Sequence, residues 1–89
     1  MNWRIDFSAS SLKFLKQNNL DENFVIEKLR LTFQKFQGED INISIKKLGG
    51  KWDGFYRIRS GRLRIIAEFQ FERNRAYVEE IDWRGNAYK

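Results

Sequence analysis

The 89-residue sequence contains no cysteine and no histidine. Without thiols there is no disulfide framework, no thiolate metal site and no cysteine nucleophile. The loss of imidazole as well removes the usual zinc ligand sets and every Ser/His or His/His catalytic arrangement. Any catalysis must use carboxylates, Tyr, Lys or Arg, and neither a metal nor a cofactor is expected. Long apolar runs are missing too. The longest, such as Phe24–Ile26 and Ile65–Ala67, extend for three residues, far short of a membrane span or a signal-peptide core. These absences predict a cytoplasmic protein with no membrane partner.

What is present suits one packed domain over residues 1–89. The chain is 42% hydrophobic with eight Phe, which argues against disorder and for a single modest core. Its net charge of +5 is unevenly placed: residues 1–45 hold six basic and six acidic side chains, and residues 46–89 hold eleven against six. The excess is densest in Lys46–Arg64, where seven Lys or Arg stand against the single acid Asp53. A basic half on a neutral scaffold is the footprint expected for a phosphate-bearing partner. Charge alone would equally describe a solvated basic face.

Periodicity supplies the architecture. Trp3, Ile5 and Phe7 alternate with Arg4 and Asp6 as in a short half-buried strand. Ser8 or Ser10 can cap a helix on which Leu12 and Leu15 share a face, with Lys13 and Lys16 outward. Asn18–Asn19 suits a turn, and Asp21 can cap a second helix whose Ile26, Leu29, Phe33 and Phe36 form one apolar stripe ending near Gly38. Such a stripe is read as core. Ile41, Ile43 and Ile45 suggest a short extended piece. Period-2 alternation then predicts strands over Phe55–Ser60, Arg62–Glu72 and Ala76–Asp82, with a tight turn at Ser60–Gly61. The expectation is an α+β fold, with an N-terminal strand and a helical hairpin packed on an antiparallel sheet of about four strands.

Alternation also separates the charges from the core. If Tyr56, Ile58 and the row Leu63, Ile65, Ala67, Phe69 and Phe71 face the helices, then Arg57, Arg59, Arg62 and Arg64 gather on the opposite face. Like charges on adjacent strands repel, and a bound polyanion offsets that repulsion because the guanidinium fork matches phosphate oxygens. Lys47 and Lys51 add to the basic stretch. Trp52, Tyr56, Trp83 and Tyr88 are interleaved with it, as aromatic platforms are in sites for unstacked bases. Tyr56 also reads as core, whereas Trp83, between Asp82 and Arg84, reads as a contact residue.

Three stretches together resemble the RelE/ParE superfamily of bacterial toxins. They are Lys46–Arg59 (KKLGGKWDGFYRIR), Ser60–Ile66 (SGRLRII) and Ile81–Tyr88 (IDWRGNAY). The resemblance implies a RelE-like microbial ribonuclease fold and the toxin role in a type II toxin–antitoxin pair. In the RelE branch it implies metal-independent cleavage of mRNA, commonly on the ribosome, with the substrate 2′-hydroxyl as nucleophile, and a cognate antitoxin as partner. It assigns Arg64 to the charge developing on phosphorus, Arg84 to the leaving oxygen and Tyr88 to positioning a base. Arg57 and Arg59 stand where relatives carry phosphate-binding or proton-accepting residues, and Trp83 stands where many carry His. Arg stays protonated at ordinary pH, so the general base is sought in Glu68, Asp82 or a neighbouring Lys, or is supplied by the ribosome. The same superfamily includes ParE-like inhibitors of DNA gyrase with no catalytic site, which is the alternative function. A basic nucleic-acid-binding module without toxicity is a third reading. The Arg64, Arg84 and Tyr88 set favours cleavage.

Overall fold

The computed structural model describes residues 3–83. Their elements run β1 (Arg4–Phe7), α1 (Ala9–Gln17), α2 (Glu22–Phe36), β2 (Ser44–Lys47), β3 (Phe55–Ser60), β4 (Leu63–Gln70) and β5 (Arg75–Trp83). The sheet has the order β1-β5-β4-β3-β2. It therefore has five strands and is mixed, where four antiparallel strands were expected. β1 adds to the edge of β5 in parallel, Ile5 opposite Ala76 and Phe7 opposite Val78. A pairing between segments some seventy positions apart leaves no mark on local periodicity.

Local chemistry sets the helix ends. The Ser8 side chain accepts from the Ser11 N–H at 3.1 Å and caps α1, and Asp21 accepts from the Asn23 N–H at 2.9 Å and caps α2. At the end of α2, Gly38 takes φ +94°, its N–H donating to Lys35 and that of Glu39 to Gln34, a Schellman closure.

The two helices cover one sheet face. Leu15, Val25, Leu29 and Phe33 meet Ile58, Leu63, Ile65, Ala67, Phe69, Ala76, Val78 and Ile81 in one core, each large side chain contributing about 1.5–3 kcal/mol of burial. Trp3 stacks on Phe33 with ring centroids 4.0 Å apart, joining the start of β1 to α2.

The buried helix faces differ in phase from those expected. α1 buries Ser11 and Leu15, leaving Leu12 exposed. Ser11 is small, and its hydroxyl reaches the Val78 carbonyl of β5 at 3.4 Å, so α1 lies close against β5. In α2 the inward stripe is Val25, Leu29, Thr32 and Phe33; Ile26 is half-buried and Phe36 is exposed. Thr32 is tolerated there because its hydroxyl donates to the Lys28 carbonyl at 2.9 Å.

A β-bulge interrupts β5. Ile66 pairs with Glu80 and Ala67 with Val78, so Glu79 has no partner on β4. Ser8 occupies the spot, its N–H donating to the Val78 carbonyl at 2.9 Å and its hydroxyl to the Glu79 carbonyl at 2.7 Å.

Candidate nucleic-acid interface

The sheet face away from the helices is built by register. β3 and β4 are joined by a two-residue turn, Ser60 opposite Leu63, with Gly61 at φ +59°, the backbone that a II′ hairpin requires at its first central position. This turn places Arg59 directly opposite Arg64 and Arg57 opposite Ile66. β2 extends both rows, with Ser44 beside Arg59 and Lys46 beside Arg57. On the other side β5 sets Asp82 beside Arg64 and Glu80 beside Ile66. Two rows thus cross the face: Ser44, Arg59, Arg64, Asp82 and Lys46, Arg57, Ile66, Glu80.

Cations lie on the β2–β3–β4 side and carboxylates on the β5 side. Facing residues of antiparallel strands have Cβ atoms about 4.5–5.5 Å apart, so Arg59 and Arg64 form a close like-charged pair. Arg64, in the central strand, is only 5% exposed. The Nε atoms of Arg57, Arg59 and Arg64 and one terminal nitrogen of Arg64 are shielded from water. Charges in such surroundings act on an approaching anion with less dielectric screening than surface lysines do.

The side chains singled out in the sequence fall into four groups. Arg57, Arg59 and Arg64 come together on this face. Arg62 does not, because it sits in the hairpin turn, exposed, and β4 begins at Leu63. Lys47 pairs with Tyr56 and shares the helix-side face, where the Tyr56 ring lies 5.3 Å from that of Phe36. The lysine on the arginine face is Lys46, and the inward neighbour Ile45 is the signal that separates the two. Lys51 is exposed in a short 3-10 turn, Gly50–Trp52, beyond the end of β2. The adjacent Trp52 packs edge-on against Phe55, with centroids 5.2 Å apart.

Trp83 departs most from its expected place. It pairs with Leu63 on the helix side, its ring meets Phe14 at 5.5 Å and its indole N–H donates to Asn18 at 3.3 Å. It anchors the end of α1 instead of lining the basic face. Arg84 and Tyr88 lie outside the described residues. Of the possible bases, Asp82 stands in the Arg64 row, while Glu68 is opposite Tyr77, two pleats further along β4. Glu80, which the sequence reading did not single out, sits in the Arg57 row because the bulge changes the alternation of β5. Among the described residues there is no cluster of three or more acidic side chains arranged to hold a metal ion, and no helix is long and apolar enough to cross a membrane.

No protein-family model and no curated protein matches the sequence. Solved structures do match, over nearly the whole chain. A chain of the Escherichia coli DinJ–YafQ toxin–antitoxin complex superposes with a TM-score of 0.68 at 13% identity, covering 100% of both chains. The archaeal RelE–RelB complex from Pyrococcus horikoshii gives 0.67 at 22% identity over 98% of this chain and 100% of the other. The RelBE2 toxin–antitoxin complex of Mycobacterium tuberculosis gives 0.59 at 17% identity, over 94% and 100%. The chain has the RelE-like toxin fold. Free YafQ from E. coli, at 0.56 and 12% identity over 99% of this chain, shows that the shared fold is that of the toxin partner. In this RelE-like chain the arginine rows occupy the sheet face that the two helices leave uncovered.

Proposed function

We propose that the chain is the toxin of a type II toxin–antitoxin pair and that it cleaves mRNA on the ribosome, in the cytoplasm. The observation that carries this reading is the set of Lys46, Arg57, Arg59 and Arg64 on one sheet face of a RelE-like fold. In the reaction, the 2′-oxygen of the RNA attacks the adjacent phosphorus and the bond to the 5′-oxygen breaks, leaving a 2′,3′-cyclic phosphate and a 5′-hydroxyl. The substrate supplies its own nucleophile, so the protein's work is positioning and stabilisation of charge on the phosphorus oxygens. Arg64 faces that charge, flanked by Arg57 and Arg59. Arg84 offsets the charge on the leaving oxygen, which takes its proton from water, and Tyr88 stacks on a base. Asp82, next to Arg64 in register, is the carboxylate best placed to take the 2′-hydroxyl proton.

A cognate antitoxin accompanies this reading. The solved complexes of similar fold pair their toxins with antitoxins, DinJ and RelB among them. A segment that folds on binding can cover a basic face of this size. Induced expression followed by mapping of transcript ends tests the activity. Cleaved messages carrying cyclic phosphate ends are expected, and a 2′-deoxy nucleotide at the cut position blocks the cut in a purified reaction. Intact transcripts together with loss of gyrase supercoiling would replace this reading with gyrase inhibition.

A further inference from the structure

A second basic feature lies at the hairpin end of the sheet, off the arginine face. There α2, the segment entering β2 and the β3–β4 turn border an open cavity of about 340 Å³, whose polar lining is Lys28, Asn42, Ser44, Arg59, Ser60 and Gly61, with Leu31 and Ile43 as its apolar part. Two of the polar residues are cations, the other four offer amide, hydroxyl or backbone groups, and no acid stands among the described residues that line it. A cavity at the opposite end of the sheet is mixed in charge, lined by Asp6, Glu68, Gln70, Arg75, Ala76 and Tyr77.

Arg59 and Ser44 join this cavity to the row that contains Arg64. Both line the cavity, and both stand in the Ser44–Arg59–Arg64–Asp82 row. Lys28 comes from α2, on the helix side of the sheet, and its Nζ lies 5.1 Å from the Phe24 ring centre, a contact that holds the ammonium near the surface. Three cations, Arg64, Arg59 and Lys28, therefore mark a path from the middle of the sheet face around its end. Single-stranded nucleic acid is held along such a path by successive phosphate contacts.

We propose that the cavity between Lys28, Asn42 and Arg59 is a second phosphate site, which takes the backbone of single-stranded RNA next to the nucleotides held at Arg64 and leads it over the hairpin end of the sheet. Asn42 and the Ser44 and Ser60 hydroxyls can donate to phosphate oxygens there, and Lys28 neutralises the charge. Gly61, at φ +59°, adds backbone and no side chain to the cavity wall. The proposal rests on the RNA-cleaving reading, and it adds a positioning residue, Lys28, that the sheet face does not contain.

The test uses the full chain and a labelled, fully 2′-O-methylated RNA of about twelve nucleotides, which cannot be cut, with binding followed by fluorescence anisotropy over a salt series. The proteins compared are wild type, Lys28→Gln, Asn42→Asp, Arg64→Ala and, as a control on α1, Lys13→Gln. Each phosphate contact on a single strand contributes about 0.7 to the slope of log K against log salt. Lys28→Gln is expected to lower that slope by about this amount and to weaken binding several-fold at low salt. Asn42→Asp, which sets a carboxylate in the cavity, weakens binding at least as much, and Lys13→Gln leaves it unchanged. Gln retains much of the lysine stem, and Asn42→Asp tests the same cavity without touching α2, so a folding defect in one variant does not remove the test. If wild type binds and Arg64→Ala weakens it while both cavity variants match wild type, the second phosphate site is wrong and the RNA-cleaving reading stands. If wild type does not bind RNA at all, the second phosphate site falls, and the mapping of transcript ends decides the RNA-cleaving reading separately.

Discussion

Arg59 and Arg64 face each other across the β3–β4 hairpin, on the side of the sheet that carries no helix. Directly opposed like charges destabilise a sheet by about 0.2–1 kcal/mol, and here the strain coincides with the surface assigned to RNA. Arg59→Gln is expected to raise the unfolding free energy measured in urea at low ionic strength by an amount in that range, and to lose the gain in high salt, where the repulsion is screened. The same variant binds RNA more weakly. A stability gain with undiminished binding would separate the arginine pair from the ligand.

Arg64→Ala removes the most buried basic side chain among the described residues. Deleting one preorganised donor to a developing oxyanion costs about 100- to 1,000-fold in rate, and that loss is expected in cleavage of a message loaded on purified ribosomes. The side chain lies outside the hydrophobic cluster between sheet and helices, so near-UV circular dichroism should match wild type. Wild-type cleavage by the folded variant would remove Arg64 from the chemistry.

Uncleavable RNA should stabilise the folded chain. A ligand at one hundred times its Kd adds about 2.7 kcal/mol, which for a domain of this size shifts Tm upward by roughly 10–20 °C. Differential scanning with 2′-O-methyl RNA measures it, and Arg64→Ala should show a clearly smaller shift.

Trp83→Ala separates packing from recognition. The indole meets Phe14 and Asn18 on the helix side, so its loss is expected to cost roughly 2 kcal/mol, about half the value for a fully buried aromatic. RNA affinity at temperatures where the variant is folded should be unchanged. A selective loss of RNA binding with stability intact would return Trp83 to the interface.

Sequence and structure agree where one side of an element decides its pattern. Tyr56 and Ile58 inward, with Arg57, Arg59 and Arg64 outward, follow from strand alternation in a sheet covered on one face. Ser8 and Asp21 act as caps because side-chain oxygens there satisfy free N–H groups in the first helical turn. The differences arise where distant segments decide. Leu12 is exposed because Ser11 bonds to the chain near Val78 and turns α1 accordingly. Trp83 is held inward by Phe14 and Asn18, partners more than sixty positions away. Arg62 falls in the turn because a two-residue connection from Ser60 to Leu63 takes it out of the strand. The cavity at Lys28 joins α2 to the hairpin tip, and nothing local in either segment announces that meeting.

The bulge at Glu79 works as a phase correction in the reading of β5. Before it, Ala76 and Val78 point to the helices; after it, Ile81 does so, three positions on instead of two. Substitutions at Glu79 keep the count and should be well tolerated. Flattening the bulge with Glu79 kept in the ladder would instead put everything downstream out of step, turning Ile81 and Trp83 toward the arginine rows and Glu80 and Asp82 into the core, whereas deleting Glu79 restores plain alternation and keeps these faces. What the β5 sequence requires here is the bulge itself: one unpaired residue, its carbonyl held by Ser8, lets the carboxylates stay in line with the guanidinium groups.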